Sequence, residues 1–241
     1  MGLSVAGVRD WLRALAGQGA PADIELRRRF GEWMALDEEP AAGLDARIVV
    51  VDVESSGLDV RSDSLIAIGA VAVRGGRMLA GEAFHVVLRQ PKASATDNIL
   101  IHGIGAGAQA GGEDPASALL DFLEFAGKAP LAGYHTAFDQ AMIERAARLH
   151  LGRATRHAWL DLAWLCPALE AARARDCRGL DDWTAQYGIA NLKRHDALAD
   201  AMATAQLLQV MLARARQAGM RDVAALAEAA RSAQWLARQG R

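Results

Sequence analysis

Three short stretches carry the side chains best suited to holding a cation and moving a proton. The first is Asp52-Val53-Glu54-Ser55-Ser56-Gly57, directly after the apolar run Ile48-Val49-Val50-Val51. Alternate side chains of a strand share a face, so Asp52 and Glu54 project together, about 6.6 Å apart along the chain. Two carboxylates there repel each other unless a cation lies between them. The Ser55-Ser56-Gly57 turn could offer backbone N–H groups to a phosphate or a terminal hydroxyl. The second stretch is Tyr134-His135-Thr136-Ala137-Phe138-Asp139, where a strand passes into a helix. Asp139 falls near the helix start, where the dipole favours an anion. The third is His195-Asp196-Ala197-Leu198-Ala199-Asp200. Asp196 and Asp200, four apart, share a helix face. His195 is therefore expected in the preceding loop or first turn, within reach of Asp200, with Asp196 as the N-cap. Each stretch alone also has a plain structural reading: a solvated rim pair, an ordinary helix N-terminal acid, and an exposed loop histidine.

The elements that must position these groups are legible from periodicity. Ile48–Val51 is a short β-branched run suited to a strand buried on both faces. Leu65–Val73 predicts a second strand, Gly75-Gly76 a hairpin turn, and Met78–Leu88 the returning third. A loop rich in small residues follows. Helical spacing predicts helices at Pro115–Phe125, Ala137–His150, Leu180–Tyr187, Ala197–Arg214 and Val223–Leu236. Short strands are expected at Pro130–Tyr134 and Ala158–Leu162. Antiparallel strands followed by alternating strands and helices imply an α/β fold with a mixed sheet flanked by helices. Ahead of it, Val8, Leu12 and Leu15 share a helical face beside Trp11. A second amphipathic piece runs from Asp23 to Leu36, with Phe30, Trp33 and Met34 apolar and Arg27-Arg28-Arg29 polar. The arginine run reads as a solvated helix face or as a contact for nucleic acid or a partner. Pro40–Gly43 reads as a linker.

Composition narrows the function classes. The 241 residues are 52% hydrophobic, which excludes a disordered chain. Two cysteines, Cys166 and Cys177, with no CxxC pattern, argue against a disulfide scaffold or a structural zinc site. With 27 Lys and Arg against 29 Asp and Glu, the net charge of −2 does not suit coating nucleic acid by bulk charge. It leaves room for local binding of a nucleic-acid end. The longest apolar run, Leu65–Val73, is far too short to span a bilayer, and the N-terminus lacks the basic start and apolar stretch of a signal peptide. A cytoplasmic protein with no membrane association is expected.

In combination, D-x-E, then F-D, then H-x4-D resembles the DEDDh family of 3′–5′ exonucleases, which includes the proofreading subunits of bacterial replicative polymerases and ribonuclease T. The resemblance covers about residues 46 to 213. Secondary matches run through it: Ile66-Ala67-Ile68-Gly69, Ile101-His102-Gly103-Ile104, Leu160-Asp161-Leu162 and Tyr187-Gly188-Ile189. The five catalytic positions of the family carry the expected types, namely Asp52, Glu54, Asp139, His195 and Asp200. Two departures stand out. Ser55-Ser56 replaces a commoner Thr but keeps the hydroxyls. His135 stands where many members carry Asn, so nucleotide preference could differ.

The resemblance implies a ribonuclease H-like five-stranded sheet, three antiparallel strands and then parallel ones, with an N-terminal helical extension over residues 1–45. An exonuclease domain over 46–216 and a C-terminal helix over 217–241 packing on it would follow. It implies two divalent cations, Mg2+ or Mn2+, whose +4 matches the four carboxylates. Asp52 would bridge both ions, Glu54 and Asp200 would hold the first, and Asp139 the second, chiefly through water. His195 would act as general base. Ser55, Ser56, Gly57 and Leu58 would contact the terminal sugar, and Leu58, His102 and Ile104 the terminal base, with His135 and Phe138 beside them. Lys193 and Arg194 could meet backbone phosphates. The expected substrate is a single-stranded or frayed 3′ end, DNA before RNA, in proofreading, trimming or repair, with release of 5′-mononucleotides. Association with a DNA polymerase, as monomer or homodimer, is also implied, although Gln206-Leu207-Leu208 lies in a predicted helix and reads as core. An exoribonuclease of the same fold is the nearest alternative. A non-catalytic, polymerase-associated binding module is the other, and it has no use for His195.

Overall fold

The computed structural model describes residues 21–37 and 43–239. The expected helical face of Val8, Trp11, Leu12 and Leu15 lies outside the described residues, as does most of the Pro40–Gly43 linker. Five strands, β1 (Ile48–Ser55), β2 (Leu65–Arg74), β3 (Arg77–Val87), β4 (Leu131–Gly133) and β5 (Trp159–Asp161), form one sheet in the order β3-β2-β1-β4-β5. β1 runs antiparallel to β2 and β2 to β3, whereas β4 lies parallel to both β1 and β5. This is the mixed five-stranded sheet expected above. Gly75 and Gly76 both take positive φ, 60° and 72°, which a two-residue turn whose twist matches the flanking strands demands.

Helices cover both faces. They are α1 (Pro21–Ala35), α2 (Thr96–His102), α3 (Ala106–Ala110), α4 (Pro115–Ala126), α5 (Ala137–His150), α6 (Leu162–Leu169), α7 (Leu180–Gln186), α8 (Ala197–Gln217) and α9 (Val223–Gln239). The small-residue segment expected to be a plain loop contains α2 and α3. Ile101 and His102 therefore sit in a last helical turn, closed by Gly103 at φ 71°. That helix shows no buried apolar stripe, since Leu100 and Ile101 are exposed, so periodicity could not announce it.

Strand parity divides the core. Val49, Val51 and Val53 of β1 join Phe30, Trp33, Leu119, Phe122, Leu123 and Met142 on the side of α1, α4 and α5. Ile48 and Val50 join Leu165, Trp183, Leu207, Leu208, Met211 and Leu226 on the side of α6 to α9. Leu207 and Leu208 are fully buried, so the Gln-Leu-Leu stretch is core.

α1 is held to the sheet layer by its aromatic face. Trp33 Nε1 donates to the Gly127 carbonyl at 3.0 Å and its ring stacks on Phe30. Arg29 pairs with Asp121 at 2.6 Å and Glu124 at 2.5 Å of α4. Arg28 pairs with Glu25 and Glu32 along its own helix. Cys166 and Cys177 are buried free thiols. Among the described residues no helix is long and apolar enough to cross a membrane.

Candidate active site

Asp52 and Glu54 continue the parity of Ile48 and Val50, so they emerge from β1 on the face covered by α8. The β1–β2 register sets Asp52 opposite Gly69. Gly69 is needed there because the first turn of α8 lies on the strand. A Cβ at Gly69 would stand 2.2 Å from the Ala197 carbonyl carbon and the Leu198 nitrogen. Asp196 caps α8 through the Ala199 N–H at 3.2 Å, the role read from the sequence. Asp200 then falls one turn into the helix, buried, facing the two β1 acids. Ligand oxygens of Asp52, Glu54 and Asp200 all lie within 4.8 Å of one another.

Asp139 reaches the same region from the opposite core layer. It is the third residue of α5, which starts just beyond the end of β4, and it is buried. Burial, only partly offset by the nearby backbone N–H groups of Asp139 and Val53, holds its carboxyl above the usual carboxylate range. It stands beside the trio and outside its common reach.

Burial and mutual repulsion make these acids reluctant to ionise without a cation. Desolvation, followed by the charges of Asp139, Asp200 and Glu54, pushes Asp52 well above the usual carboxylate range. Desolvation raises Asp139 as well. Glu54 is pushed up to about 7, first by burial and then by Asp200 and Asp196. An all-oxygen, anionic donor set whose members raise one another's pKa fits a hard divalent cation.

Two histidines adopt left-handed backbone, and they are the only non-glycine residues at positive φ among the described residues. His195 (φ 59°) lies in the loop before α8, exposed, and donates its N–H to Asp200 Oδ2 at 2.8 Å. His135 (φ 62°) lies between β4 and α5, and its N–H binds Asp161 Oδ1 at 2.9 Å. Asn and His are both among the residues enriched in this backbone region. His135 thus occupies a backbone conformation that His tolerates better than most residues.

A cavity of about 710 Å³ opens over these groups. Ser55, Gly57, Leu58, His102, His135 and Phe138 line it, as does His195. Leu58 is 88% exposed at the rim. Ser56 and Ile104 do not line it: the Ser56 hydroxyl donates to Asp63 Oδ1 at 2.9 Å and accepts from the Ser64 N–H. His102 is buried, and its Nδ1 accepts from the Ile104 N–H at 3.0 Å, so it chiefly fixes the chain behind the cavity wall. Lys193 and Arg194, expected to face phosphates, are engaged with carboxylates: Lys193 with Asp196 at 2.9 Å, and Arg194 with Asp181 and Asp200.

Three contributors were not singled out in the sequence. The Asn98 side chain donates to the Ser56 carbonyl and ties α2 to the turn after β1. The Asn191 side chain donates to Asp200. Asp181, at the start of α7, lines the cavity. An isolated Asn or Asp carries no spacing signal, and only the fold brings these to the site.

The exonuclease family model RNase_T matches residues 49–208. A DNA polymerase III PolC-type protein of Thermotoga maritima is 26% identical over 163 residues, 68% of this chain and 12% of its own length. A DNA polymerase III subunit epsilon-like protein of Rhodobacter capsulatus is 30% identical over 201 residues, covering 82% of this chain and 28% of that protein. The chain thus spans a small part of the length of these relatives. Among solved structures, E. coli Exonuclease I in complex with a dT13 oligonucleotide superposes with a TM-score of 0.59 at 19% identity. The match covers 71% of this chain and 42% of that one, a likeness of fold.

Proposed function

The chain belongs to the RNase_T exonuclease family, and we propose that it hydrolyses DNA from the 3′ end, one nucleotide at a time, with the help of divalent cations. The observation that carries this reading is the convergence of Asp52, Glu54 and Asp200 within 4.8 Å, with Asp139 beside them and His195 at the cavity edge. DNA is favoured as substrate by the relatives, which are DNA polymerase III proteins, and by the DNA oligonucleotide bound to the solved neighbour.

Asp52, Glu54 and Asp200 would hold one divalent cation, Mg2+ or Mn2+, and Asp52 with Asp139 would hold a second. Bound there, two such ions would polarise the scissile phosphate and neutralise charge on the attacking and leaving oxygens. His195 accepts the proton of the attacking water, a role that an imidazole with a free ring nitrogen can fill. Its backbone N–H on Asp200 fixes the loop that carries the imidazole. Water attacks phosphorus, the bond to the 3′ oxygen of the preceding nucleotide breaks, and that oxygen leaves and takes a proton from solvent to become the new 3′ hydroxyl. The products are a 5′-mononucleotide and a strand shorter by one. Leu58 and Phe138 flank the terminal base and sugar, and His135 faces the terminal nucleotide. Near-neutral net charge predicts weak, non-processive binding in isolation, which a polymerase partner in the cytoplasm would offset.

The test is degradation of 5′-labelled single-stranded, duplex and RNA oligonucleotides of one sequence with Mg2+, Mn2+ or EDTA. A ladder shortening from the 3′ end, dependent on metal and faster on DNA, is expected. Metal-independent cleavage, or none with either ion, contradicts the reading.

A further inference from the structure

The cationic side chain that touches the acidic cluster is Arg194. Its Nη1 meets Asp200 Oδ1, and its Nε meets Asp181 Oδ1 at 2.8 Å, so one guanidinium bridges α8 to α7. The two ends differ in surroundings. The Asp200 side chain is 4% exposed, whereas that of Asp181 is 65% exposed. The inner contact therefore relieves charge in a buried place, and the outer one is a solvated foothold.

Asp200 Oδ1 also receives the Asn191 side chain, and Oδ2 receives the His195 N–H. With Arg194 in place, both lone pairs of Oδ1 are filled. A divalent ion held by the trio would meet a positive guanidinium on the same carboxylate, and like charges at that range repel strongly. Asn191 and the His195 N–H are neutral and face no such conflict. The arrangement provides a cation for the cluster when no metal is bound and a second carboxylate to receive it when one is.

We propose that Arg194 is a built-in counter-cation: it holds Asp200 and relieves the acidic cluster in the metal-free protein, and divalent-ion binding displaces it from Asp200 onto Asp181. This rests on the metal-binding reading given above. Arg194 is on this account a positioning residue that keeps Asp200 oriented and the site assembled before metal arrives, and it competes with metal for that carboxylate.

The test needs no nucleic acid. Mn2+ binding to the full chain is measured from the electron paramagnetic resonance signal of free Mn2+, for the wild type, Arg194→Gln and Arg194→Lys. Melting is followed with and without the ion. Arg194→Gln should bind Mn2+ roughly tenfold more tightly, as expected when a competing partly buried ion pair is removed. Its metal-free form should melt below the wild type, with the gap closing when Mn2+ saturates both. Arg194→Lys keeps the charge but cannot bridge two carboxylates, so its affinity should fall between the other two. Equal or weaker Mn2+ binding by both variants overturns the proposal while leaving the metal site standing. No Mn2+ binding by the wild type overturns the metal reading, and this inference with it.

Discussion

A Cβ on Gly69 would stand 2.2 Å from the carbonyl carbon of Ala197, so the first turn of α8 rests directly on β2. Because Asp52 is the β1 partner of Gly69, this contact sets the separation between Asp52 and Asp200. The acidic cluster is thus built as much by a missing side chain as by the carboxylates.

Gly69→Ala should therefore damage the site through the backbone. Forcing a methyl against a helix backbone costs about 1–3 kcal/mol or more. A lowered melting temperature, together with weaker metal binding, is the expected outcome in thermal denaturation with and without Mn2+. An unchanged melting curve would show that α8 can lift off without cost.

Asp52→Asn removes the charge at the centre of the cluster while keeping the shape. Hydrolysis should fall by at least about 10³-fold, the scale of a lost group at the reacting centre. The metal-free variant should be as stable as the wild type or about 1 kcal/mol more so, because repulsion is relieved. Chemical denaturation in EDTA and an initial-rate assay measure the two effects separately.

His195→Ala and His195→Asn should each cost about 10²–10⁴ in rate, the range for a general base. Asn suits the left-handed backbone at φ 59°, so His195→Asn should leave melting unchanged. A loss under threefold in both variants removes His195 from proton transfer.

The metal-free protein should lose stability as pH rises from about 4.5 to 7. Glu54 titrates near 7 in the fold against 4.5 in its ordinary state, so the folded chain binds the extra proton. A raised acid contributes stability that is present below its unfolded value and lost as pH passes the folded value. The effect is on the order of 2–3 kcal/mol across that window. Denaturant titrations in EDTA at pH 5 and 8 check the sign, and Glu54→Gln should flatten the slope.

Trp33→Ala tests the helical layer apart from the chemistry. Trp33 is 3% exposed and bonded to Gly127, so its loss should cost about 3–5 kcal/mol. The rate per folded molecule should stay within about twofold, since α1 does not reach the cavity. Circular dichroism and an active-site-normalised assay give both numbers.

Much of the scaffold was legible because its signals are local. The β-branched run Ile48–Val51, the Gly75-Gly76 turn and the helical spacing of Ala137–His150 each fix one element. The parity argument for Asp52 and Glu54 and the capping role of Asp196 held for the same reason. What was hidden depended on tertiary contact. α2 buries little apolar surface, so its segment read as loop. Lys193 and Arg194 read as free bases until Asp196, Asp181 and Asp200 were brought to them. Gly69 was visible as part of a motif, but its reason, the approach of Ala197, exists only in three dimensions.

The most direct measurement is anomalous diffraction from crystals of the protein soaked in Mn2+. Two peaks are expected, one among Asp52, Glu54 and Asp200 and one beside Asp52 and Asp139. A map with no peak at these carboxylates, or with manganese bound elsewhere, would contradict the account.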